Sequence, residues 1–556
     1  MTAAPAADVR PAPSWGRRTA TAVAVTATLA AVAQTLLLSV GIGGWLPGWQ
    51  PLPWLLIAVP AWLFARPAWR TPPAVERAVD LLRRIPAWGY ALAVLAMAAA
   101  VWAALQDSEP WIGHEEAVYA DKARSWHDGT PAAGWGTYRP VGLPALGRLA
   151  LAVHNDVGAL RAVALLLTLF TLTATYVTAA RLTTPRRAVV TTLLLLGGLG
   201  FLRRVPEFLN DIGATGLLLL VVLLLVRAQE KPGSRALPAA AVIAVAAFYL
   251  RYGVVGNLAA IVLGALLAYG PRAWLAHRWR LACAAGILAA GLLPHFLYAV
   301  RETGSPLGLV FSATSQANRA YTGDGFVYYL SVFPYRLAGD LGAVVMAAGL
   351  YGAAAALLRR RRARRGTAAA RPDDARRVFL GAAAVLTFVI LGMVTDGEPR
   401  FVYLPVALLT MLGVQTAAEC AGRRAATVLA ATAALAAVTV PATAQYVAHA
   451  AMPGPTGQAA STVPVARGLA RDGSCLLVTG YEPEAGWYSG CDAVTYAQYR
   501  RMTPPEDTRV TFVLFEHGRL QPDAEGLERL VAGRPVTVTT FPTDGSLGTA
   551  TTVTLR

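Results

Sequence analysis

Hydrophobic positions in this chain come in long blocks separated by short polar stretches. Runs of the length that crosses a bilayer, about 17–25 residues, or somewhat shorter, fall near 19–40, 51–66, 87–106, 158–180, 187–202, 212–227, 236–251, 253–270, 281–300, 340–358, 378–395, 402–420 and 424–446. The pattern predicts about 13 transmembrane helices. The first block follows Arg17-Arg18 and is longer than the apolar core of a cleaved signal, so it reads as a retained helix.

After residue 451 the pattern changes. A linker, Pro-Gly-Pro-Thr-Gly, begins beside Met452 and leads into a polar tail. In that tail Cys475–Gly480, Arg509–Phe515 and Pro535–Phe541 read as strands, and Asp523–Ala532 has helical spacing. A small α/β domain is expected. The chain divides into 1–86, a cytoplasmic segment with two helices; 87–451, the membrane core; and 452–556, the appended domain. Cys475 and Cys491 are close enough to pair, and in an oxidising compartment they would either form a disulfide or stay free. Cys283 and Cys420 sit in apolar segments and read as packing residues. There is no internal repeat and no Gly-rich phosphate loop.

Composition agrees with the pattern: 55% of the 556 residues are hydrophobic and 15% charged, the balance of a polytopic membrane protein. The net charge of +17 does not point to nucleic acid, because the basic residues fall in short runs between apolar blocks, as in Arg359 to Arg365. The abundance of Ala, Arg and Gly suggests a GC-rich bacterial genome. Alternate loops carry Arg66–Arg84, Arg181–Arg187, Arg227–Arg235, Arg272–Arg280, Arg359–Arg377 and Arg423-Arg424. The other loops carry Glu115, Glu116, Glu207, Asp211, Glu302, Asp324, Asp396 and Glu398. The positive-inside rule then puts the N-terminus in the cytoplasm and the tail outside the cell membrane.

The first outer loop, Gln106 to Val157, is long for a connection, and such loops are usually functional or disordered. Its patterning argues for order. Residues 116–127 are amphipathic, with Val118, Ala123 and Trp126 near one face, and Asp128-Gly129 stops the helix. A turn over Tyr138–Pro144 precedes a second amphipathic stretch, Leu146–Val153. Two helices lying in the membrane interface fit this pattern. The acidic pair Glu115-Glu116 opens the first of them. Either it faces water at a helix start, where the dipole favours acids, or it is half of an active site. His114 beside the acids would allow a divalent metal ion, although one His with two Glu is a poor metal signature.

The stretch Gly113-His-Glu-Glu-Ala-Val-Tyr-Ala-Asp-Lys-Ala-Arg-Ser, followed by Tyr138-Arg-Pro-Val-Gly-Leu-Pro-Ala-Leu, resembles the first outer loop of GT-C glycosyltransferases. It is most similar to the bacterial, actinobacterial-looking side of the protein-mannosyltransferase and aminoarabinose-transferase branch. That family opens the loop with Asp-Glu, then has an Ala-x-Tyr, here ending at Tyr119, and a Pro-rich return. Glu115 stands at the usual Asp position, one methylene longer. In the second outer loop, Arg203-Arg-Val-Pro-Glu-Phe-Leu-Asn-Asp211 puts Asp211 at the family's second acid. Gly397-Glu-Pro-Arg-Phe-Val-Tyr-Leu-Pro405 is similar to its late Arg-Tyr-x-x-Pro stretch, and Arg251-Tyr252 fits an outer helix end.

The resemblance covers roughly residues 87–420. It implies a GT-C-like core of transmembrane helices that takes a sugar from a polyprenyl-phosphate-sugar donor in the bilayer. The acceptor would be an outer glycan, lipid or protein. Glu115, Glu116 and Asp211 would be the catalytic acids. Tyr119, Tyr138, Arg203, Arg204, Arg251, Arg400 and Tyr403 would bind substrate. A carboxylate base activates a hydroxyl, and arginine stabilises the departing lipid phosphate. Arg301 is a further outer arginine of this kind. The bland alternative for each arginine is a salt bridge, to Glu207 or Glu398 for instance, or snorkelling.

His295 reads as structural. The loop 301–340, with Gln316, Asn318, Tyr321, Asp324, Tyr328 and Tyr329, has a mix suited to sugars, or is simply exposed. Tyr481–Tyr488 in the tail would either bind acceptor or cap the membrane part. A transporter or lipid flippase is the second reading, and a non-catalytic envelope scaffold the third. A transporter needs ionisable groups near mid-membrane, whereas here the acids cluster at the outer ends.

Overall fold

The computed structural model describes residues 15–555 except 41, 43–50, 66–70, 106–113, 232, 316–319, 333–334, 368, 370, 450–454, 471–472 and 532. Trp111–Gly113, Gln316, Asn318 and the linker at Met452 therefore lie outside the described residues, as do Arg66, Arg70 and the side chain of His114.

Each predicted apolar block is helical. The helices are Trp15–Ser39, Leu52–Ala65, Ala87–Leu105, Val157–Leu182, Pro185–Leu196, Asp211–Glu230, Ala236–Leu250, Val254–Tyr269, Arg278–Thr303, Tyr335–Arg364, Asp374–Val394, Tyr403–Ala421 and Ala425–His449. By length and composition, eight stretches among the described residues suffice to cross a membrane, and one of them, Pro399–Ala448, contains two of these helices. Leu52–Ala65, Ala236–Leu250 and Val254–Tyr269 are apolar but shorter, at 14, 15 and 16 residues. At 1.5 Å per residue they span only about 21–24 Å, short of a hydrocarbon core of about 30 Å. The block expected at 187–202 is two pieces, because the helix Pro185–Leu196 ends at Gly197 and Leu199–Leu202 restarts it. The block expected from 340 is preceded by a kink at Gly339, whose φ of 69° suits glycine.

The bundle solves the burial of polar groups locally. Thr35, Thr175 and Thr387 each donate their hydroxyl to the carbonyl four residues back, at 2.8 Å. Small residues permit close crossings: a Cβ on Gly264 would sit 2.8 Å from the Ala383 nitrogen of the neighbouring helix. The first helix is part of the bundle, since Trp54 and Trp62 donate to Gln34 and Thr28 at 3.0 Å. Cys283 is exposed on its helix rather than packed.

The loops segregate by charge. At one end Arg359 pairs with Asp374 at 2.6 Å, Arg376 with Glu230 at 3.1 Å, and Arg377 with Glu419. At the other end the acids of the first, second and later loops meet. The two expected loop helices are present, as His114–Asp128 and Gly142–Leu151. The first is packed largely within the protein: residues 116–121 and 123 are all buried. The bundle packs on one of its sides and the appended domain on another, while His127 and Asp128 at its end stay exposed.

The appended domain is a five-stranded sheet of order β2-β1-β3-β5-β4. The strands are β1 (Cys475–Val478), β2 (Asp492–Val494), β3 (Arg509–Phe515), β4 (Val536–Phe541) and β5 (Ala550–Leu555). β1 runs parallel to β2 and β3, and β5 pairs antiparallel with β3 and β4. Val478, Phe512, Tyr496 and Val553 form its core. Cys475 and Cys491 are joined in a disulfide with a Cα–Cα distance of 5.0 Å.

Candidate active site

Two helix N-termini and one turn build the site. Glu115 lies in the first turn of His114–Asp128, and Asp211 opens Asp211–Glu230. Helix dipoles favour acids at both positions. Arg400 sits in the 3-10 turn Pro399–Val402 that leads into Tyr403–Ala421. Its guanidinium donates to Glu115 and lies 3.9 Å from Asp211. It also holds Glu398, with Nε 2.5 Å from Oε2 and Nη2 3.1 Å from Oε1. Asp211 is paired in turn with Arg251 Nε at 3.1 Å. Phe401 lies against both guanidiniums, 4.7 Å from Arg251 and 5.2 Å from Arg400.

Exposure separates the roles. Asp211 is 3% exposed and Arg400 9%, while the Glu115 side chain is 38% exposed. Glu115 and Glu398, at 38% and 36%, are therefore the acids that an incoming molecule reaches. Burial pushes the Glu398 carboxyl up to about 7, with Arg204 and Arg251 opposing and Asp211 and Asp396 assisting.

Glu116 points elsewhere. It is buried, accepts from the Phe208 amide at 2.9 Å and faces Arg161 Nε at 3.4 Å. It ties the loop that holds His114–Asp128 to the loop before Asp211–Glu230. Burial pushes its carboxyl up to about 8 against the pull of Arg161. The folded chain thus holds this proton more tightly than the unfolded chain does. The associated stability is complete below 4.5 and is lost as pH rises toward about 8. Glu116→Gln is expected to fold and to flatten that decline. Thermal unfolding from pH 5 to pH 8 checks it, and a pH slope identical to that of the wild type would contradict it.

Some of the other expected residues lie near this centre and some do not. Asn210 donates to the Tyr119 hydroxyl at 3.2 Å and to the Leu250 carbonyl at 2.8 Å, so Tyr119 lies next to Asp211. Arg139 stacks on Tyr119 and Tyr138, at 5.8 and 5.3 Å. Arg204 is paired with Glu207, and Arg203 is half-buried beside it. Tyr403 is directed into the bundle: its hydroxyl donates to the Gly200 carbonyl at 2.5 Å and its ring packs on Phe201. Arg301 is exposed at the end of its helix. In the loop 301–340, Tyr329 is buried and donates to the Glu398 carbonyl at 3.2 Å, steadying the turn that carries Arg400. His295 is buried among Phe248 and Tyr252.

Arg161, Asn210, Arg139 and Phe401 were not picked out as site residues from sequence. An arginine inside an otherwise apolar run was the available signal for Arg161.

Among the described residues no group of three or more His, Cys, Asp and Glu could hold a metal ion. Glu115, Asp211 and Glu398 each face a guanidinium.

Comparison with known proteins adds three findings. The family model described as dolichyl-phosphate-mannose-protein mannosyltransferase matches residues 139–298, a segment that includes Arg204, Asp211 and Arg251. No curated protein matches the chain. Among solved structures, ArnT from Cupriavidus metallidurans in the apo state is similar with a TM-score of 0.61 at 14% identity. That match covers 84% of this chain and 98% of ArnT. ArnT bound to undecaprenyl phosphate matches with the same values. The Archaeoglobus fulgidus oligosaccharyltransferase matches at a TM-score of 0.47 and 13% identity, over 82% of this chain and 72% of that one. At such identity a likeness speaks for fold. The chain has a GT-C-like fold, that of ArnT, with an α/β domain appended to the helical bundle and a segment that matches the mannosyltransferase model.

Proposed function

We propose that this protein is a membrane glycosyltransferase that moves a sugar from a polyprenyl-phosphate donor to an extracytoplasmic acceptor. The observation that carries the reading is the meeting of Glu115 and Asp211, from two different outer loops, at the single guanidinium of Arg400. The half-exposed Glu115 takes the proton from an acceptor hydroxyl as its oxygen attacks the anomeric carbon. The bond from that carbon to the lipid phosphate breaks, and Arg400 and Arg251 receive the developing phosphate charge. Asp211, fixed by Arg251, orients Arg400 and the acceptor. Tyr119, Tyr138, Arg203 and Arg204 line the approach, with Tyr403 supporting from the bundle. The ligand named for the ArnT structure, undecaprenyl phosphate, supports a polyprenyl-phosphate donor here. The Cys475–Cys491 disulfide supports an outward-facing domain, because such bonds persist in oxidising compartments.

The test is a panel. Membranes holding the full chain are incubated with polyprenyl-phosphate mannose, glucose, arabinose and aminoarabinose. Consumption of one donor with release of polyprenyl phosphate is expected. If every donor persists, the reading fails. Mannose is the first candidate, from the matched family model.

A further inference from the structure

The helix that begins with Glu115 is held at its other end by the appended domain. Arg124, on the opposite end of His114–Asp128, is oriented by Asp121 at 3.1 Å. It donates to the carbonyls of Gly486 at 3.0 Å and Trp487 at 2.8 Å. Its guanidinium also stacks 4.3 Å from the Trp487 ring. Those carbonyls belong to the last turn of the helix Glu482–Ser489, where a cation meets the negative end of the dipole.

The contact is close as well as polar. A Cβ on Gly486 would lie 2.3 Å from the Cβ of Ala133 and 3.5 Å from Asp121 Oδ2. A Cβ on Gly134 would meet Pro483 at 2.7 Å. Ala133, from the first outer loop, packs in one cluster with Cys475, Leu477, Ala485, Cys491 and Ala493. The disulfide is therefore part of this interface. It ties β1 to the residue that follows Gly490, the left-handed end of the helix Glu482–Ser489.

We propose that the appended domain is a positioning element for the catalytic loop, with Arg124 as the residue that transmits its hold to Glu115. The proposal rests on the reading of Glu115 as the reacting carboxylate. Nine residues separate Arg124 from Glu115 on one continuous helix, about 14 Å at 1.5 Å per residue. A helix of this kind moves as a rod, so release at one end swings the other. A misplacement of about 1 Å at a reacting group can cost on the order of 100-fold in rate.

Two variants test the coupling in the full chain. Gly486→Ala removes no charge and places a better helix former in the helix Glu482–Ser489, yet wedges the contact with Ala133. Arg124→Gln removes the guanidinium. Both are expected to raise amide exchange over residues 114–128 while the Cys475–Cys491 disulfide stays formed. Both are also expected to lower kcat at least tenfold with donor KM within about twofold, since a misplaced base loses rate rather than binding. Arg124→Lys, which keeps the charge, should recover part of kcat. Wild-type exchange in both variants overturns the proposal, and so does wild-type kcat in both. The exchange measurement needs no donor, so it decides the coupling even if the donor panel has already overturned the functional reading.

Discussion

Replacement of Arg400 by alanine is expected to cut sugar transfer by roughly 10³-fold or more while leaving a folded protein. The rate estimate starts from the loss of one preorganised donor at a developing anion, which costs about 10²–10³-fold. Arg400 does more than this, because its guanidinium also gathers Glu115, Glu398 and Asp211. Without it, Glu115 is held less firmly, although it remains at the site. The fold survives for a physical reason. The Glu115 side chain is 38% exposed, so water can replace the lost partner, and Glu398, pushed up to about 7, can take up a proton instead. Asp211, the buried acid, keeps Arg251. Arg400→Lys should recover little, since an ammonium cannot serve three carboxylates in the planar arrangement of a guanidinium. Turnover of the donor found by the panel, beside thermal unfolding of the same preparation, checks both halves. Wild-type turnover in Arg400→Ala removes Arg400 from the mechanism.

The helical bundle was legible because apolar blocks and basic loops are one-dimensional signals. Block lengths gave the helices, and loop charges sorted the ends, so that Arg359, Arg376 and Arg377 meet at one end and Glu115, Asp211 and Arg400 at the other. The strands β3 and β4 were also legible, as runs of β-branched and aromatic residues, and β1 as a short apolar run. β2, only Asp492–Val494, was too short to stand out. Partner choice was not legible. Glu115 and Arg400 are 285 residues apart, and nothing local marks one as the partner of the other. The same holds for Glu116, which is adjacent to Glu115 in sequence but turns toward Phe208 and Arg161, and so became an anchor. What packs on His114–Asp128 was not legible for a related reason. Amphipathicity shows that a helix has an apolar side, but the Arg124–Trp487 contact that covers a further side comes from residues over 360 positions away.

Glu115→Gln is expected to lower kcat by about 10²–10⁴-fold, the range for removal of a general base, with little change in donor KM. Gln keeps the size of the side chain and can still accept from Arg400, so the loss reports proton transfer rather than collapse of the site. Glu115→Asp should retain a measurable fraction, because it keeps the carboxylate and shortens it by one methylene. Asp211→Asn should behave differently. Asp211 is buried and paired with Arg251, so its neutralisation leaves a guanidinium without its counter-charge and lowers stability as well as rate. The comparison decides which acid is the base. A carboxylate that only orients Arg400 would lose its effect once Arg400 is absent, so Glu115→Gln on the Arg400→Ala background would cost nothing more. A base would still matter there. If the double variant equals Arg400→Ala alone while Asp211→Asn abolishes transfer on both backgrounds, Asp211 takes the proton. Glu115 is then the acid that holds the arginine, and the half-exposed position reads as a gate to the buried carboxylate.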